Sequence, residues 1–505
     1  MIDQPRRRSG PRGRIGLWHA GGMRAPTVAV SRRRLTLATG AQIGGRVLGA
    51  LLGILVAATL ARTLTRAQFG ELSLGLTILA LAGSLNDLGM SQIAVREMAR
   101  RPEDRARIAG ALWLAMLVMG TVTAILGGAV GFALMPGYQA RLMTVLLMAT
   151  MPVGSIGALL TAAQARLRPE LVIIPMLVQN VIWLAVVIGL GAAHAGLGLY
   201  GAGALLAGVV QALVIAGLPA GVTAVSFVGI RGLLRELLRL AWPIGLAGMF
   251  VTAYYRIDGV ILFDYRGATV SAYYSAAYRF LDVLQILPMT VSGVLLPLLA
   301  RVEHEEAPGQ QVQPLFARSV ALLLALALPV AVCGAILAPG LVRLIYGSHY
   351  HHSVHLLQIL LPAFIPICLG YLLTSQLILQ GMLRPYIVIT FAGAAVNVIA
   401  NLIAIPRIGA PAAAWTTLAT EAGVMTAIAV VVRRRLGLAL PFARVARIAI
   451  AVAVAAALVW TVRNEPVVVG LAVGIVAYPP LLFGTRGITI AEVRGLLSRR
   501  AAASA

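Results

Sequence analysis

An all-α polytopic membrane protein of about fourteen transmembrane helices is what this sequence predicts, and three features predict it. Of 505 residues, 60% are hydrophobic and 11% charged, with a mean hydropathy of +0.91, far outside the range of soluble domains. Apolar blocks of about 20 residues, the length a helix needs to cross a bilayer, recur along the whole chain between short polar breaks. Strand-like alternation is absent, which argues against a barrel.

Taken in order, the first six spans fall at roughly 37–61, 70–91, 108–134, 142–164, 171–193 and 196–218. The next six fall at roughly 240–263, 268–300, 319–345, 354–380, 385–406 and 411–432, and two more at 445–462 and 466–484. Ahead of them, residues 1–34 carry "PRRR" and "SRRR" with no apolar run, and read as a disordered basic cytosolic arm rather than a signal peptide. Between spans six and seven, "IRGLLRELLRL" sets Arg231, Arg235 and Arg239 on one helical face and leucines on the other. Residues 219–239 therefore read as an amphipathic cytosolic linker. The expected organisation is a six-helix unit at 35–218, a second at 240–432, an additional pair of spans within 433–484 and a cytosolic tail at 485–505.

Arginine placement checks the span count, because one missing span would scramble the alternation of loops. All 41 basic residues are Arg. With both termini in the cytosol, 31 of them flank the cytosolic side and 7 the outer side: Arg62, Arg66, Arg141, Arg266, Arg343, Arg407 and Arg463. The remaining 3, Arg46, Arg256 and Arg279, lie inside spans. The net charge of +24 thus reflects insertion topology and lipid phosphates, and nucleic acid is not an expected partner. The lack of any Lys removes P-loop, Schiff-base and pyridoxal chemistry, and no cofactor is expected. Cys333 and Cys368 lie in apolar segments without metal-ligand spacing. The acidic "EHEE" at 303–306 lacks metalloprotease spacing and reads as a solvated charge run. The cluster His349, His351, His352 and His355 has one i, i+4 pair but no carboxylate nearby, so no metal site is expected.

Several segments resemble the oligosaccharide flippase branch of the multidrug/oligosaccharidyl-lipid/polysaccharide exporter superfamily. "NVIANLIAIPRIGAPAAAWTTLATE" (397–421) is similar to that family's paired-Asn, Ile-Pro, small-residue and terminal-Glu pattern. "RIDGVILFDYRGATVSAYYSAAYRFLDVLQILP" (256–288) resembles the start of its second half, and "LARTLTRAQFGELSL" with "DLGMSQIAVRE" the start of its first. "LIYGSHYHHSVHLLQIL" is similar to its loop between spans nine and ten. The resemblance covers roughly residues 35–435. It implies two six-helix bundles in a V around a central cavity opening alternately to either side, here with two extra C-terminal helices like those of the lipid II flippases. It further implies a polyprenyl-pyrophosphate-linked sugar as cargo, proton or sodium coupling, a polysaccharide polymerase partner, and residence in the bacterial cytoplasmic membrane among its lipids. No catalytic role is expected, because no outer loop exceeds about ten residues and an enzyme acting on such lipids needs acids or His on a sizeable one. A multidrug antiporter or lipid II flippase of the same superfamily is the competing reading.

Charges inside spans need a partner or a function, since each costs about 2.5 to 3.5 kcal/mol at the bilayer centre. Arg46 and Arg279 are expected roughly 14 to 17 Å deep, both near the midplane and lining one cavity, with Arg256 nearer the outer side. Either they receive the cargo's phosphates or they pair internally: Arg279 with Asp282 at i, i+3, and Asp258 with Arg256 or Arg46. Tyr274, Tyr278 and Asp282 share a helical face, where the rings would suit sugars or an aromatic belt. Asn397 and Asn401 sit one turn apart and suggest interhelical hydrogen bonding. Glu421, on the following span, is the candidate coupling carboxylate.

Overall fold

The computed structural model describes residues 32–166, 168–293, 312–489 and 492. The arm at 1–31, the acidic run at 303–306 and nearly all of the tail beyond 489 lie outside the described residues. Thirteen helical stretches among the described residues are long and apolar enough to cross a membrane. One of them, Ile230–Gly293, is 64 residues long and would measure about 96 Å if straight, three times a hydrocarbon core. It is not straight. Gly267 has φ 78° and ψ 174°, a conformation that only glycine adopts without strain, and the chain turns back on itself there. Arg256 consequently pairs with Asp282, 26 residues on, which a straight helix would hold about 39 Å away. The stretch is two spans, and the described residues cross fourteen times.

Span one is Arg32–Thr63, five residues longer at its cytosolic end than expected. Span two, Arg66–Asp87, starts on a capping box in which Thr65 accepts from the Gln68 amide and the Gln68 side chain from the Thr65 amide. It then breaks at Leu88 and Gly89, both left-handed, and resumes as Met90–Arg100. Spans three, five and six are Arg105–Leu134, Glu170–Ala192 and Leu197–Ala216. Span four, Tyr138–Gly154, ends two residues after Pro152, passes through a tighter 3-10 turn at Ser155–Leu159 and finishes as Leu160–Ala165. Spans nine, eleven, twelve, thirteen and fourteen are Val312–Tyr346, Leu383–Ile408, Ala410–Leu436, Phe442–Thr461 and Val467–Gly484. Span ten runs His352–Leu360, a 3-10 turn at Leu361–Ala363, then Phe364–Leu379.

The amphipathic linker expected at 219–239 takes a different form. Beyond the short turn Ala220–Thr223, a helix starts at Ile230 after left-handed Gly229 and continues through Pro243 into span seven without a break. Leu237 is buried with Met98, Ile108 and Leu112, while Arg231, Arg235 and Arg239 face outward. The segment is an extension of span seven, because nothing between Ile230 and Trp242 interrupts the helix.

Contacts between distant loops respect the alternation of sides. With the sides named as the arginine placement assigns them, on the cytosolic side the Ser226 amide donates to the Ala106 carbonyl at 2.9 Å, Arg101 pairs with Glu236 at 2.7 Å, and Gln313 donates to the Ala439 carbonyl at 2.8 Å. On the outer side Arg62 donates to the Leu344 carbonyl at 2.6 Å, Arg266 to the Ile405 carbonyl at 3.2 Å and Arg66 to the Tyr273 hydroxyl at 2.9 Å. Several outer arginines therefore act at helix C-termini, adding a donor to carbonyls of the last turn or just beyond it. Arg141 does this for Met135, Arg407 for Ile403 and Arg463 for Trp460.

The two six-helix bundles meet along span two, which packs on the spans seven and eight hairpin at both ends. On the outer side Gly70 lies directly on the Ala268 carbonyl, and on the cytosolic side Gly245 lies on Leu88; a β-carbon at either glycine would overlap backbone. The outer side is further sealed by rings. Phe69 of the first bundle packs edge-on against Tyr346 and Tyr350 of the second, with centroids 6.4 and 5.8 Å apart. Spans thirteen and fourteen stand outside the second bundle against span nine, through Gly340 on Val467 and Gly470 on Leu337.

Candidate functional site: a charged cluster where three cavities meet

The hairpin concentrates the intramembrane charge. Arg256 reaches from span seven to span eight and holds both carboxylate oxygens of Asp282, at 2.9 and 3.3 Å. Its guanidinium also lies over the Tyr278 ring, 5.5 Å from the centroid. Arg279, expected to pair with Asp282 along the helix, stands 3.9 Å from it, at the outer limit of an ion pair, and is 40% exposed. Asp282 is thus the partner of Arg256 first, which frees most of the Arg279 guanidinium for something else.

Three cavities converge on this cluster. An outer cavity of about 280 Å³ lies between spans one, two, five, seven and eight, with Ser73, Thr77, Trp183 and Tyr274 in its walls. An inner cavity of about 660 Å³ lies between spans two, seven, eight, ten, eleven and twelve and carries Tyr254, Tyr371, Thr374, Tyr386 and Glu421. Tyr255, Arg256, Arg279 and Asp282 border both, so the charged cluster is the partition between them. The third space is an apolar groove of about 490 Å³ between spans one, eight, nine and fourteen, walled by residues such as Val330, Leu337, Leu471 and Ile475. Arg279 borders this groove as well, and so faces all three.

Asp258 is buried and takes no Arg partner among the described residues, contrary to the pairing with Arg256 or Arg46 expected from sequence. Its oxygens accept from the Gly259 amide at 2.7 Å, the Thr417 hydroxyl at 3.1 Å and the Tyr274 hydroxyl. Spans seven, eight and twelve are thereby tied at one point. Three donors do what a cation would otherwise do for a carboxylate in a low-dielectric interior. Thr417 went unnoticed in the sequence; its one signal was its place a turn before Glu421. Tyr274 and Tyr278 are buried, so neither belongs to an interfacial belt. Asn397 donates to Thr420 at 3.0 Å and Asn401 to Asn397 at 2.9 Å, both fully buried between spans eleven and twelve. Glu421 lines the inner cavity next to Tyr255, with its Oε1 buried and unpartnered among the described residues.

Arg46 stands apart from this cluster. Arg279 lies opposite Gly53, with a guanidinium nitrogen 3.8 Å from the β position there, whereas Arg46 is seven residues, roughly 10 Å, nearer the cytosol. The equal depths expected from sequence fail because the two were counted from opposite ends of spans longer than the bilayer core. Arg46 is half-buried and within electrostatic reach of Tyr371 in the inner cavity wall.

Comparison with known proteins agrees with this architecture. The fold is similar to that of a lipid II flippase, MurJ, in an inward closed conformation, with a TM-score of 0.71 over 89% of this chain and 98% of that one, at 12% identity. An inward-facing multidrug resistance MATE family transporter matches with a TM-score of 0.59 over 81% of this chain and 95% of that one, at 15% identity. A transporter from Pyrococcus furiosus described as having a binding pocket of reverse polarity also scores 0.59, over 80% and 96%, at 14% identity. At these identities the likeness is one of fold. In sequence, an uncharacterized membrane protein of Methanocaldococcus jannaschii, MJ1068, is 28% identical over 181 residues, 35% of this chain and 34% of that relative. The match therefore spans about a third of that relative's length. Residues 38–303 match the family model described as polysaccharide biosynthesis protein. From the helical hairpin at Gly267 to the paired bundles and the extra C-terminal helices, sequence and fold agree that this chain belongs to the polysaccharide biosynthesis protein family, flippases of the multidrug/oligosaccharidyl-lipid/polysaccharide exporter superfamily.

Proposed function

We propose that the protein moves a polyprenyl-pyrophosphate-linked oligosaccharide from the cytosolic to the outer leaflet of a bacterial cytoplasmic membrane by alternating access, for assembly of a cell-surface polysaccharide. One observation carries the reading: Arg279 borders a polar outer cavity, a polar inner cavity and a long apolar groove at once. A molecule with a hydrocarbon chain, an anionic link and a sugar head has those three needs at one point. The groove takes the chain, the guanidinium groups of Arg279 and, on the cytosolic approach, Arg46 take the pyrophosphate, and the tyrosines of the inner cavity take the sugar rings. The enclosed volume limits the seated head to about 660 Å³, a few sugar rings, unless the bundles part further.

Span fourteen, one of the two extra helices within 433–484, supplies a wall of the groove, which favours a long-chain cargo over a compact drug. Lipid II has the same three parts and is the second reading. Coupling falls to Glu421, which lines the inner cavity and has a buried oxygen without a partner among the described residues; it takes up a proton or a sodium ion. The halves at 35–218 and 240–432 act as the moving bodies, and a polysaccharide polymerase receives the cargo outside.

The test is flipping in proteoliposomes of fluorescent polyprenyl-pyrophosphate sugars, scored by reduction of the probe from outside. Faster loss with a short glycan than with lipid II supports the first reading, and the reverse order the second. Efflux of organic cations without any lipid flipping would place the protein with the antiporters instead.

A further inference from the structure

Of the seven outer-side arginines, Arg343 makes no hydrogen bond or ion pair among the described residues. It lies in the last turn of span nine, on a pocket of about 400 Å³ at the outer surface that is separate from the three cavities of the central site except for the shared wall residue Leu337. Arg463 enters the same pocket from the loop between spans thirteen and fourteen, its guanidinium carbon over the Trp460 ring at 4.0 Å with one guanidinium nitrogen on the Trp460 carbonyl. Ser348, His351 and Asn464 add neutral or weakly basic donors, and Glu465 is the one carboxylate in the wall. Glu465 forms no salt bridge with either arginine among the described residues.

We infer that this pocket binds the phosphate head of a lipid in the outer leaflet. Two guanidinium groups, one from the end of span nine and one from the loop between spans thirteen and fourteen, line one recess. One lies over an indole, and the other has no internal partner to displace. Outer loops are ordinarily poor in Arg, and all six of the others here donate to carbonyls or, for Arg66, to a hydroxyl; Arg343 and the remaining donors of Arg463 are what is left. Planar forks with several donors suit phosphate oxygens, and the serine hydroxyl and Asn464 amide complete a neutral rim. The site does not depend on which cargo the central cavities carry.

Native mass spectrometry of the purified full-length protein, titrated with phosphatidylglycerol, phosphatidylethanolamine or inorganic pyrophosphate, tests the assignment. Expected is a saturable phosphatidylglycerol adduct that weakens about fivefold to tenfold in Arg343→Gln and again in Arg463→Gln. Glu465→Gln is expected to tighten it, and Arg407→Gln, on the same face but outside the pocket, to leave it unchanged. Equal binding by wild type and both pocket variants would overturn the inference. So would a loss of stability on Glu465→Gln without any change in lipid binding, since Glu465 would then be the internal counter-ion of the two arginines. Binding of free pyrophosphate with the same dependence on both arginines would keep the anion site but assign it to a soluble ligand rather than a lipid.

Discussion

Removing Arg256 and removing Arg279 should have opposite signatures, although both sit within 4 Å of the same carboxylate. Arg256 is 30% exposed and Asp282 17%, and the pair is bidentate, which places it between a surface ion pair of at most about 1 kcal/mol and a buried pair whose disruption costs about 3 to 5. Arg256→Ala is therefore expected to cost about 2 to 3 kcal/mol, largely as the penalty for leaving Asp282 alone between two cavities. Arg256→Ala with Asp282→Ala should recover most of that. Arg279→Ala loses one contact at 3.9 Å from a carboxylate that is already satisfied, and should cost less than about 1 kcal/mol. On the proposed function it removes a charge-assisted phosphate contact worth about 1.5 to 3 kcal/mol, or roughly 10-fold to 150-fold in cargo affinity. The measurements are thermal stability of the four purified variants in detergent and flipping in vesicles at several cargo concentrations. The reasoning fails if Arg279→Ala destabilises as much as Arg256→Ala and is rescued by Asp282→Ala, because Arg279 would then be the structural partner.

Three further outcomes follow from single contacts. Gly70→Ala should push the outer ends of spans two and eight apart, so that a cysteine placed at Ser73 in the outer cavity reacts faster with a membrane-impermeant maleimide; both native cysteines are buried and contribute little background. An unchanged labelling rate would mean that the outer contact is not a seal. Tyr274→Phe withdraws one of three donors from Asp258 and is expected to lower stability by about 1.5 to 3 kcal/mol, with Thr417→Val additive to it only in part, as shared partners require; full additivity in a double-mutant cycle would refute the network. On the cytosolic side, burial alone would raise the Glu492 carboxyl, but hydrogen bonds from the Thr489 amide and from Arg444 hold it below its ordinary value of 4.5. The stabilisation it gives is present above about pH 4.5 and is lost as the pH falls through the lowered value, so proteolytic release of the C-terminal tail should rise only below that range, and Glu492→Gln should abolish the dependence.

The span count was legible in the sequence because it rests on a one-dimensional rule, hydrophobic length. So was the region of interest, since six charges and six tyrosines within 254–282 cannot all face lipid. Pairing was not legible. The i, i+3 spacing of Arg279 and Asp282 suggested a bond that the hairpin assigns instead to Arg256, and no local pattern encodes a contact 26 residues away across a turn. The donors to Asp258 escaped for the same reason: Thr417 is an ordinary helical threonine until span twelve is laid beside span seven. Arg46 shows a different failure, where depth counted from one end of a helix misleads once the helix outruns the bilayer.

The turn at Gly267 joins spans seven and eight with no residue to spare, and Arg256 and Asp282 clasp the two arms below it. Such a hairpin tilts as a single lever and cannot slide one arm past the other. On the proposed function, every charge that faces cargo from this element keeps its neighbours through the stroke, and only the walls opposite, span two on one side and spans ten to twelve on the other, come and go. The cargo's anion therefore need not be handed from an inner station to an outer one. It can stay on the same guanidinium group while the exit changes around it, so that the energetic work of transport lies in parting the bundles rather than in moving a charge between sites.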